Sequence, residues 1–200
     1  MGVDNERADG RLERGRQTQE KIVDAILALI EAGDPAPTNA RIAARAGIST
    51  RLVYHHFEDL EDLLGVAVER RVQQVTAHHP ELPATGALAT RIAAVVAQRA
   101  DVLEWVTPVR LAAMRMEPYS ERLRAGRDAM FAKAREQLAT VFAHEIDALP
   151  LEHRDVLVAA LDVTTSWAAW HHLRLTLDAN QAAAVVAAAL TALVTPRSPA

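Results

Sequence analysis

Between Arg41 and His56 the chain carries three arginines, Arg41, Arg45 and Arg51, and no acidic residue, a local formal charge of +3. Guanidinium groups with no carboxylate among them are suited to phosphate oxygens and to base edges. Thr38, Ser49, Thr50, Tyr54, His55 and His56 place hydroxyl and imidazole groups in the same stretch, each able to hydrogen-bond to phosphate or to a base. Upstream, Arg11, Arg14 and Arg16 could follow a neighbouring minor groove. The chemistry implied is contact with nucleic acid.

Such groups need a scaffold that holds them outward. Ile22, Ile26, Leu29 and Ile30 recur at i, i+4, i+7 and i+8, one face of a helix. Gly33, Asp34, Pro35 and Pro37 end it. Thr38 suits an N-cap for a short helix to Ala46, Gly47 supplies a turn, and Ser49 suits an N-cap for a second short helix to His56. Two short helices joined by a tight Gly-containing turn form a helix-turn-helix, whose second helix can enter a major groove. Ala43 and Ala46 permit close crossing. Ile42, Ile48, Val53 and Phe57 can lock it from within, with Leu29 behind. Glu58 and Asp59 then open a longer helix to about Thr76.

The ordered series Thr38, Ile42-Ala43, Ala46-Gly47-Ile48-Ser49, Tyr54-x-x-Phe57 and Asp59 to Leu63 resembles the DNA-binding domain of TetR-type transcriptional regulators. The resemblance implies an all-α homodimer of about nine helices. Its first three helices would bind a palindromic operator in double-stranded DNA. The rest would hold a small-molecule effector pocket, and the last two helices would form the dimer interface. The DNA contacts implied are Arg14, Arg16, Thr38, Arg41, Arg45, Ser49, Thr50, Arg51, Leu52, Tyr54, His55 and His56. Three positions depart from the family pattern. Leu60 stands where the family often has a phosphate-contacting Lys, and Arg51 and Leu52 replace small residues, which changes the base-reading surface.

The expected organisation is a mobile arm at 1–16, a DNA-binding domain with its connecting fourth helix at 17–76, a helical effector and dimerisation domain at 77–195, and a tail at 196–200. The Pro-rich break His78–Gly86 marks the middle boundary and leaves His78 and His79 in a solvated linker. Five helical stretches follow, roughly 88–99, 102–114, 120–146, 152–175 and 179–194. Pro108 should kink or split the second, and Asp178 with Gln181 forms a capping-box pattern at the last. Trp105, Arg110, Met114, Tyr119, Met130, Phe131, Thr164, Trp167 and His171 are candidate pocket residues, because apolar cavities with a few polar groups use such side chains. The last helix is apolar around most of its circumference, which argues for a partner surface made by Ala183, Val186, Ala187, Leu190 and Leu193.

Composition narrows the field. There is no Cys, which removes disulfides, thiolate metal sites and Cys nucleophiles. The His-His pairs cannot easily share one metal, since adjacent helical residues point about 100° apart, so no metal or cofactor is expected. The N-terminus is too polar for a signal peptide and no apolar run reaches the roughly 18 residues of a membrane helix, so the protein is expected to be cytoplasmic and off the membrane. The net charge of −4 weighs against nucleic acid until placement is considered. The first 71 residues hold ten basic and thirteen acidic groups, yet the acids cluster outside Arg41–His56. Two other readings stay open. One is a small-molecule-binding or adaptor protein of the same fold without DNA binding, for which Leu60 speaks. The other is an all-helical enzyme, which is not expected because no nucleophile–base pair or carboxylate cluster is found.

Overall fold

The computed structural model describes residues 3–79 and 81–195. The expected tail at 196–200 and the side chain of Arg11 lie outside the described residues. Among these residues stand ten helices and no strand: α1 (Val3–Glu31), α2 (Asn39–Ala46), α3 (Thr50–His56), α4 (Leu60–His78), α5 (Leu88–Met114), α6 (Glu121–Val141), α7 (Ala143–Asp147), α8 (Leu151–Thr164), α9 (Trp167–Arg174) and α10 (Ala179–Val194). The all-α class matches the expectation, with one helix more.

The differences have local causes. Residues 3–16, expected as a mobile arm, extend α1. Arg16 meets Glu13 at 2.7 Å and Glu20 at 2.6 Å, pairs that staple successive turns. The two helices expected over 88–114 are one, since nothing between Arg99 and Val102 breaks a helix, and Pro108 is carried inside it. There the Thr107 hydroxyl donates to the Leu103 carbonyl at 2.5 Å. The stretch expected over 152–175 divides into α8 and α9 at three successive hydroxyl residues. Thr164 and Thr165 bond back to the carbonyls of Ala160 and Leu161, and Ser166 caps α9 by accepting from the Ala169 N–H at 3.2 Å. The Asp178–Gln181 capping box forms as expected.

The chain divides into two compact units, one running to Gln73 and resuming over Pro108–Gly126, the other made of Gln74–Thr107 and the residues from Arg127 on. The boundary thus falls three residues before the expected one, and the 108–126 segment joins the first unit. In that unit Ile22, Ile26, Ile42, Val53, Phe57, Leu63 and Leu64 share one buried cluster with Val109, Ala112 and Leu123. Each of these Ile, Val, Leu and Phe side chains, fully buried, contributes about 1.5–3 kcal/mol. Ion pairs tie the helices at the rim. Arg71 is buried and pairs with Glu31, and Arg70 meets Asp24 at 2.6 Å. Arg122 forks Glu69 at 2.9 and 3.0 Å and reaches Asp62 at 2.6 Å. Gly65 makes room for that fork, since a Cβ there would stand 2.8 Å from Arg122 Cδ.

The second unit is centred on Val95, Leu138, Phe142, Leu161, Trp170 and Leu190. Its polar hub is Arg91. The guanidinium donates to the Val141 carbonyl at 2.6 Å and to Glu145 at 2.5 and 2.9 Å. These bonds hold the break between α6 and α7 at buried Phe142, where one continuous helix was expected over 120–146. His78 and His79, expected as solvated linker residues, are engaged. His78 ends α4 and meets the Trp105 ring edge-on at 5.6 Å, while His79 approaches Asp101 at 3.5 Å.

The bond from Arg91 holds the Glu145 carboxyl below its ordinary range, a pull that exceeds the opposing effect of burial. The folded value is depressed, so the stabilisation is complete above the unfolded value and fades as pH falls through the folded one. Melting temperature should therefore fall more steeply from about pH 6 to about pH 3 in the native chain than in Glu145→Gln. Parallel melting curves would refute this role.

Candidate nucleic-acid interface

α2 starts where Thr38, in extended conformation, accepts from the Arg41 N–H at 3.4 Å. It stops at Gly47, whose φ of 70° and ψ of 34° lie in the left-handed region that L side chains avoid. The Ile48 N–H returns to the Ala43 carbonyl at 3.0 Å, closing the cap, and Ile48 packs against the first unit's core. Ser49 then caps α3, accepting from the Leu52 N–H at 3.3 Å. Ile42 and Val53 are buried on the inner sides of α2 and α3, and Phe57 is buried just beyond α3, as the sequence implies.

What faces out is more selective than the sequence list. Thr38, Arg41, Arg45, Ser49, Thr50, Arg51, Tyr54 and His55 are exposed, Tyr54 at 58%. Leu52 and His56 are half-buried. Burial, helped by His55, lowers the pKa of His56, so His56 adds little charge to the strip at neutral pH. Arg41 is paired with Asp34, while Arg45 and Arg51 have no ion-pair partner among the described residues. Asp34 escapes a search confined to 41–56. Its signal is the Asp-Pro-Ala turn, where its side chain also accepts from the Ala36 N–H at 3.2 Å. Arg14 is exposed, and Arg16 is held by Glu13 and Glu20. Leu60 is half-buried against the first unit's core, where its side chain has a packing role.

Residues 22–67 match the family model described as "Bacterial regulatory proteins, tetR family". This stretch contains the whole helix-turn-helix. Over these residues the chain is similar to the TetR family. A curated relative, the HTH-type transcriptional regulator BetI of Serratia proteamaculans, is 34% identical over 95 residues, which are 42% of this chain and 44% of that protein. The match thus spans less than half of the relative's length. Two solved structures share the fold. One is a tetR-family transcriptional regulator from Streptomyces coelicolor, with a TM-score of 0.69 and 24% identity, covering 90% of this chain and 82% of that one. The other is a transcriptional regulator from Rhodococcus sp. Rha1, with a TM-score of 0.68 and 18% identity, covering 88% and 95%.

Outside the matched stretch, the expected pocket residues are scattered. Arg110, Met114 and Tyr119 belong to the first unit, and Trp105, Met130, Phe131, Thr164, Trp167 and His171 to the second. Trp167 donates to Thr107 Oγ1 at 3.0 Å and stacks on His171 at 4.6 Å. Arg110 pairs with Glu117. Tyr119 is 86% exposed, and Met114 and Phe131 are exposed as well. Of the expected dimer residues, Val186 and Leu190 need correction. They lie in the second unit's own core because their face of α10 packs inward with Ala182 and Val194. Ala183 and Ala187 are half-buried against that core, and Leu193 is exposed.

The left-handed turn sets the geometry of the reading head, so Gly47→Ala should destabilise the protein by about 1–2 kcal/mol. Chemical denaturation checks this, and an unchanged midpoint would show that the turn tolerates a side chain.

Proposed function

We propose that the chain is a homodimeric transcriptional regulator, acting as a repressor, that binds a palindromic DNA operator and leaves it when a small-molecule effector binds. The observation that carries this reading is α3 itself. It is a short helix held by a capped turn, and it presents Thr50, Arg51, Tyr54 and His55 outward with no acid among them. One α3 of each protomer would enter a major groove, with half-sites about one helical turn apart or a multiple of that. Thr38, Arg41, Arg45, Ser49, Leu52, His56, Arg14 and Arg16 would take phosphate or flanking contacts. The effector would occupy the second unit. No helix among the described residues is long and apolar enough to cross a membrane, which fits a regulator acting in the cytoplasm.

A second reading, an adaptor of this fold without DNA binding, has two observations in its favour. Leu60 is turned to packing, and Asp34 neutralises Arg41. Salt separates the two readings, because phosphate contacts make log K fall steeply against log salt.

Selection of bound sequences from a random DNA pool should return a palindrome. On that palindrome Arg51→Ala and Tyr54→Ala should each weaken binding about 10–100-fold without lowering the melting temperature. Failure of the native chain to bind any duplex at low salt would overturn the DNA-binding function.

The homodimer has its own support. α8 and α10 pack on each other and each keeps outward apolar residues: Val156, Ala159 and Val163 on α8, and Val185 and Leu193 on α10, with Ala189 half-buried between the last two. Val156 and Val163 are 66% and 67% exposed. Stripes of this kind on neighbouring helices suit a second copy. Val163→Glu should give a folded monomer by sedimentation equilibrium, and a variant that still dimerises would place the interface elsewhere.

A further inference from the structure

One arginine of the second unit is enclosed without a counter-charge of its own. Arg99, on α5, is 9% exposed. Its Nη2 donates to the Ala134 carbonyl at 3.3 Å and to Gln137 Oε1 at 3.1 Å, both on α6. Its Nε is shut away from water with no hydrogen-bond partner. The acid whose charge acts on it, Asp162 of α8, is already engaged by Arg135 at 2.8 Å. The other buried arginines each have a counter-charge, Arg91 in Glu145 and Arg71 in Glu31. Burial pulls the Arg99 pKa below arginine's ordinary value, against a smaller opposing pull from Asp162. Arginine nonetheless keeps its proton in proteins, so the unit holds a largely desolvated cation with an idle donor at Nε. A buried ion without a partner weakens the fold that encloses it unless another group supplies the opposite charge.

We propose that Arg99 anchors the effector, and that the effector is a monocarboxylate with an apolar body. The proposal rests on the second unit being the effector-binding unit. Three features set the ligand class. A carboxylate is planar and can accept from two guanidinium N–H groups at once. A single cation beside Asp162 balances one negative charge and leaves a dianion such as a phosphate monoester in excess. Finally, Val95, Val96, Val102 and Leu103 stand at i−4, i−3, i+3 and i+4 from Arg99, on the same face of α5, and all four are buried. Whatever follows the carboxylate group therefore meets aliphatic side chains.

The test follows thermal melting of the full chain with butanoate, hexanoate, octanoate and benzoate, each against the alcohol of the same skeleton. At least one carboxylate should raise the melting temperature saturably where its alcohol does not. In Arg99→Met the affinity for it should fall about 10–100-fold, with the ligand-free variant melting no lower than the native chain. Arg99→Lys keeps the charge but not the planar donor set, so it should bind more weakly than native. Stabilisation by the alcohols equal to that by the acids, no response to any carboxylate, or undiminished binding by either variant would overturn the proposal. Release of operator DNA by neutral or cationic compounds alone would also overturn it while leaving effector control standing. Release by no compound of any charge, with Arg99-dependent carboxylate binding intact, would instead remove effector control and keep the site.

Discussion

Everything α3 presents to solvent depends on the left-handed turn at Gly47. The turn closes α2 through the Ile48 N–H, turns the chain, and delivers Ser49 in the extended conformation an N-cap needs. Each bond in it contributes about 1 kcal/mol, far less than the buried cluster beneath. Yet the cluster fixes only that α2 and α3 touch. The turn fixes the direction in which α3 leaves, and so which of its sides holds Val53 inward and which shows Arg51 and Tyr54 outward. A helix of seven residues is too short to persist by propensity alone. It exists because both ends are tied, by Ser49 at the start and by buried Phe57 at the end.

Arginine does two opposite kinds of work among the described residues. Arg71, Arg91, Arg122 and Arg154 are fastened to carboxylates or carbonyls and bind helices to one another or helix to loop. Their planar donor sets let one side chain serve several acceptors, as Arg122 does with Glu69 and Asp62. Arg45 and Arg51 are left to solvent. A net charge of −4 therefore says little about the reading head, because charges far beyond a screening length of about 8 Å hardly act on a phosphate at the surface. The balance does limit non-specific attraction, and Asp34 limits it further by holding Arg41.

What the sequence made legible was whatever its signals settle within a few residues. Thr38, Gly47, Ser49, Asp178 and Gln181 act through caps and turns that span three to five positions, and the bounds of α2, α3 and α10 follow from them. The break at Phe142 was hidden because the group that satisfies it, Arg91, lies 50 residues away. The split at Ser166 was nearer the surface of the text, since three hydroxyl residues in a row compete with a helix for its own carbonyls. In the candidate site, the exposed residues of α3 were legible. The neutralisation of Arg41 was not, because ion pairs carry no sequence period.

The error at α10 shows where periodicity fails. A helix that alternates Ala, Val and Leu is apolar on every side, so its sequence offers no polar face to mark the outside. Only the fold decides, and it turns Ala182, Val186, Leu190 and Val194 inward. The apolar excess then has to lie on the opposite surface, where Val185 and Leu193 are 45% and 37% exposed. The reasoning from excess to a partner surface survives this change of face, because it never depended on which residues were chosen. It depended on a helix having more apolar surface than one core can cover. α8 carries the same imbalance in Val156 and Val163. Two adjacent helices with uncovered apolar stripes form a surface that water disfavours and that an identical surface, related by a two-fold axis, would cover.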